Sequence, residues 1–169
     1  MRAMKRGKRA LLASLTLILT AVPLTVVTSL PAEAAYGVCD TASWRYAGGV
    51  GTDQYTKVPA RTGSGMYCYM GNQQGSKSAV KALQDAIYTC YWDTPAADYI
   101  QQSGGIDGVY GEGTVKAVRW LQANRLGFTG SNVDGTYGPA TRSAMKWPMY
   151  ENYGGGYTFT YTCKNPNEI

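Results

Sequence analysis

The chain has 169 residues, with 16 lysines and arginines against 11 aspartates and glutamates, and no histidine. Its length fits one ordinary domain with extensions or two small ones, and 44% hydrophobic residues can form a core, which excludes wholesale disorder. The missing histidines exclude an imidazole base, Ser-His-Asp or Cys-His catalysis and His-ligated zinc, and so most metal-dependent amidases and peptidases.

Residues 1–34 have the order of a secretory signal. Arg2, Lys5, Arg6, Lys8 and Arg9 come first, then an apolar run over 10–30 interrupted by Pro23, then Ala32-Glu33-Ala34. Cleavage after Ala34 places small residues at −3 and −1. The pI near 9.0 depends on this segment. Removing its five cations and one anion leaves eleven cations against ten anions, with no basic run. A nucleic-acid partner therefore has no electrostatic basis, and no membrane partner is expected after cleavage.

Residues 35–75 form a Gly/Tyr-rich extension, with Gly48-Gly49 and Gly63-Ser64-Gly65. They read as irregular chain with one or two short strands, around 54–58 and 66–70. Ser76-Lys77-Ser78 then offers helix caps, and Val80, Leu83 and Ile87 come after it at helical spacing, so a helix is expected to about Tyr91. Asp93-Thr94-Pro95 breaks it.

A 27-residue repeat organises residues 106–147. The stretch from Ile106 to Trp120 aligns with that from Val133 to Trp147, with seven of fifteen positions identical: Asp, Gly, Tyr, Gly, Thr, Ala and Trp. The unit is an apolar residue, then D-G-x-Y-G-x-x-T, then a helical pattern. Asp107-Gly108 and Asp134-Gly135 mark tight turns in which the carboxylate accepts backbone N–H bonds. Thr114 and Thr141 fall in the first helical turn. Val115, Val118, Leu121 and Leu126 form the apolar stripe of the first copy's helix, and Gly127 fits its stop. The second copy gives a shorter helix over about 139–147, ended by Pro148. Residues 149–169 read as a tail, with one short strand over 157–163. Cys39, Cys68, Cys90 and Cys163 give two disulfides in an exported chain, with three pairings open.

Val80-x-x-Leu83-Gln84, Asp107-Gly108-x-Tyr110-Gly111-x-x-Thr114, Val118-x-x-Leu121-Gln122 and Asp134-Gly135-x-Tyr137-Gly138-Pro139-x-Thr141 together resemble the peptidoglycan-binding domain of the type-1 kind. The resemblance covers residues 76–148. It implies a mainly α fold: a compact three-helix module, stapled by disulfides, with irregular or short-strand extensions at both ends. It also implies a secreted, wall-associated protein that binds peptidoglycan, through glycan or stem peptide, without catalysis, cofactor or metal. Two alternatives stay open. One is a small wall hydrolase using two carboxylates, drawn from Asp107, Asp134, Glu112 and Glu151. The other is a disulfide-stapled interaction or inhibitor module. For the binding reading the contact face is expected on the loop side, at Tyr110, Tyr137 and Arg142, with Trp120 outlying.

Overall fold

The computed structural model describes residues 36–47 and 53–165. The expected signal segment and its cleavage site lie outside them. The chain opens with a hairpin of two strands, β1 (Thr41–Tyr46) and β2 (Gln54–Ala60), in register from Thr41↔Ala60 to Tyr46↔Tyr55. Residues 61–75 then carry turns and isolated bridges. The strand expected over 66–70 is only two such bridges, Tyr69 to Val38 and Met70 to Tyr137, the latter exchanging backbone hydrogen bonds.

Helix α1 spans Lys77–Cys90. Ser76 caps it, its hydroxyl accepting from the Ala79 N–H at 3.2 Å. The Thr94 hydroxyl donates to the Tyr91 carbonyl and closes the next turn. Pro95 does not merely end a helix there. It starts another, α2 (Pro95–Gln102), because its fixed φ suits the first helical position and no N–H is needed. Helix α3 (Glu112–Asn124), a 3-10 turn (Gly130–Asn132) and α4 (Pro139–Ala144) complete the helical part. The expected three helices are thus four, and the last stops before Trp147.

Trp147 instead begins β3 (Trp147–Tyr153), which turns into β4 (Gly156–Lys164). The strands form one antiparallel sheet in the order β1-β2-β3-β4, joined across the middle by Gln54↔Glu151 and Tyr55↔Tyr150. The expectation of a mainly α fold is therefore wrong: the described residues are mixed, four α-helices with a four-stranded sheet. The reason is physical. Each flank supplies two strands, and the central pairing needs partners about a hundred residues apart, which no local pattern announces.

Helices and sheet share one core. Leu83, Ile87, Val118 and Leu121 from the helices meet Trp147 and Met149 from β3, all fully buried. Of the three open cysteine pairings the structure has Cys39–Cys68 and Cys90–Cys163. The second ties the last residue of α1 to β4.

Candidate functional site

The two Asp-Gly turns are each held by a glutamine from a preceding helix. In the first, Gln84 of α1 donates from Nε2 to Asp107 Oδ1 (2.9 Å), the Val109 carbonyl (3.1 Å) and Thr114 Oγ1 (3.1 Å). Its Oε1 accepts from the Gly108 N–H at 2.8 Å. In the second, Gln122 of α3 donates to Asp134 Oδ1 (2.9 Å), the Thr136 carbonyl (3.0 Å) and Thr141 Oγ1 (3.3 Å), and accepts from Gly135 N–H at 2.8 Å. Each aspartate also accepts the N–H two residues on, from Val109 at 2.8 Å and Thr136 at 2.7 Å. Both glutamines are buried, and these bonds satisfy both ends of each amide.

The two turn glycines are required by this setting. Gly108 and Gly135 have φ of +84° and +79°, and a Cβ would lie 2.8 Å from the carbonyl oxygen of Lys77 or Val115 respectively. Any side chain there meets both strain and backbone. The Val109 N–H, with the Gln84 amide second, holds the Asp107 carboxyl below the usual carboxylate range. A carboxyl so stabilised as an acceptor is the opposite of a general acid, which needs a raised pKa.

A cleft opens beside each turn, at matching positions. The first, about 350 Å³, lies against Asp107, Val109, Gly111 and Glu112. The end of α2 lines it with Tyr99 and Ser103, and the exposed Glu112–Lys116 ion pair at 2.7 Å lies beside it. The second, about 410 Å³, lies against Asp134, Thr136, Gly138 and Pro139, with Gln122 at its lining. Its walls are Tyr36, Tyr69, Phe128 and Asn132, so it is mostly apolar with a few polar groups, the composition of a small-ligand site. Its volume falls in the usual range for such sites.

The residues expected at the contact face are placed otherwise. Tyr110 and Tyr137 are 1% and 0% exposed, so neither ring offers a face to a ligand. The Tyr110 hydroxyl donates to the Gly135 carbonyl at 2.8 Å, bracing one turn against the other. Burial pushes the Tyr137 phenol well above its ordinary range. Backbone bonds tie both residues to segment 70–73: Tyr137 exchanges N–H and C=O bonds with Met70, and the Tyr110 carbonyl accepts from the Gln73 N–H. Arg142 is half-buried in α4, its Nη1 3.1 Å from the Met66 sulfur and its guanidinium 5.8 Å from the Tyr67 ring. It does not line the second cleft. Trp120 is half-buried against the core, with Arg125 5.9 Å from its ring. Phe128, Tyr36 and Tyr69 have no sequence signal of their own. The glutamines do: each comes directly after the leucine of V-x-x-L-Q.

Among the described residues no three His, Cys, Asp or Glu side chains gather to hold a metal ion, and no helix is long and apolar enough to cross a membrane. No curated protein and no solved structure matches the chain. Residues 76–145 match the family model described as "Putative peptidoglycan binding domain". The match runs from the cap of α1 to the end of α4 and takes in both glutamine-held turns. Over residues 76–145, then, the chain is similar to this family of peptidoglycan-binding domains.

Proposed function

We propose that the protein is a secreted, non-catalytic wall component, released by removal of residues 1–34, that binds peptidoglycan through the cleft beside the second Asp-Gly turn. In this reading residues 76–148 are the binding module and the segments on either side of it supply the sheet. The observation that carries it is the difference between the matched clefts: Tyr36, Tyr69 and Phe128 give the second apolar walls, while Asp107, Glu112 and Lys116 make the lining of the first far more polar. The two disulfides suit an oxidising compartment outside the cytoplasm. The turn aspartates serve the backbone, which supports binding over hydrolysis.

The test is co-sedimentation with insoluble peptidoglycan. The oxidised protein is expected in the pellet, with no reducing sugar or amino groups released. Ala140 is exposed on the cleft wall, and Ala140→Trp should weaken retention by ~tenfold or more, the scale of a central contact. Release of reducing sugar that Asp107→Asn or Asp134→Asn abolishes, without unfolding, would establish the hydrolase instead.

A further inference from the structure

One face of the sheet is aromatic. Residues opposed across an antiparallel ladder, and alternate residues along a strand, point the same way. Tyr46↔Tyr55, Tyr55↔Tyr150 and Tyr150↔Phe159 therefore share a face with Trp44 and Tyr157. On the opposite face Thr56, Val58 and Met149 are buried, while Arg45 and Tyr153 are exposed. The rings touch in sequence: Trp44 stacks on Tyr157 with centroids 3.7 Å apart, and Tyr55 meets both Tyr46 and Tyr157 at 5.5 Å. The Tyr150 hydroxyl donates to Asp85 of α1 at 2.7 Å and fixes that ring. Tyr46 and Tyr157 are 58% and 36% exposed. Lys57, opposite Trp44, is exposed, with its ammonium 5.7 Å from the indole centroid.

We propose that this face is a second binding surface, which takes a carboxylate-bearing glycan strand. The inference rests on the wall-binding reading and names a separate subsite for it. Rings held by one another need little ordering to bind, and Tyr and Trp combine flat apolar area with polar edges. The C–H faces of pyranose rings fit such a platform. Lys57 supplies charge complementarity: it stands on a central strand among the rings, where it can meet a lactyl or stem-peptide carboxylate. The same lysine disfavours other occupants. Lysine is depleted at the centre of protein interfaces, and a two-fold dimer centred here would bring two Lys57 side chains together.

The test uses the oxidised full chain and two probes, whole peptidoglycan and glycan strands stripped of peptide by an amidase. The wild type should bind both. Tyr46→Ala with Tyr157→Ala should weaken stripped-strand binding by at least ~tenfold. Lys57→Glu, at an exposed site that leaves the rings in place, should weaken it several-fold. Thermal melts identify any variant that has lost its fold, and Lys57→Glu with Tyr157→Phe then decides. Wild-type protein that is retained on whole peptidoglycan while all the sheet variants bind stripped strands equally well overturns this inference alone. Wild-type protein that binds neither probe overturns both readings. A concentration-dependent dimer abolished by the same variants assigns the face to a second copy and also overturns the proposal.

Discussion

At the scale of single residues, the buried glutamines do what a loop needs and cannot do alone. An Asp-Gly turn between helices leaves N–H and C=O groups facing inward, and one amide satisfies several of them. Gln122→Leu keeps similar volume but strands the Gly135 N–H, leaves the Thr136 carbonyl with only the Thr141 hydroxyl at 3.3 Å, and removes the donor to Asp134. The expected loss is about 3 kcal/mol, several times an ordinary surface substitution, since each orphaned buried group costs about 1–3 kcal/mol. Denaturant melts of Gln122→Leu and Gln122→Glu check this, and a loss under about 1 kcal/mol in both would remove the latch from the account. The turns themselves were legible in the sequence, because Asp, Gly and Thr carry their geometry locally. The tyrosines were not. Their rings are as amphipathic in a core as in a sugar site, and long-range packing, such as Trp147 of β3 against the Tyr137 ring, decides between the two.

At the scale of elements, helix α1 was readable from cap to end, whereas α2 was hidden behind a proline that stops one helix and starts the next. The strands divide by the same logic. Two of them, β2 and β4, show β-branched and aromatic alternation. The others, β1 and β3, do not: β3 begins Trp147-Pro148 directly after a helix and takes its conformation from its neighbours. The Cys90–Cys163 bridge then fixes that hairpin to α1. It closes a loop with a sequence separation of 73, which the chain-entropy argument values at about 4 kcal/mol. Cys90→Ser with Cys163→Ser should lower stability by up to that amount. It should also raise amide exchange in β3 and β4 well before α3. Uniform exchange across all elements would show that the hairpin is held by packing alone.

At the scale of the whole molecule, buried phenols set an alkaline limit. Burial raises the Tyr91 phenol, although the Lys146 N–H it accepts pulls the other way. Burial likewise raises Tyr137, and burial reinforced by Asp85 raises Tyr150. A group whose folded pKa exceeds its unfolded one contributes stability that is complete below the unfolded value, about 10, and is lost as pH rises through the folded value. Melting temperature should therefore decline above about pH 10, and Tyr137→Phe should make that decline shallower. An unchanged slope would show that the fold opens before these groups titrate. The sheet carries a consequence of another kind. Its middle seam, Gln54 to Glu151 and Tyr55 to Tyr150, joins segments about a hundred residues apart in sequence. The β1–β2 hairpin and the helices can form from near contacts, but loop closure across that span must precede any reward from the seam. Closure of the sheet is accordingly expected to be the late, slow step of folding. As the chain is synthesised from its amino end, β2 stays an open edge until residues 147–153 have emerged.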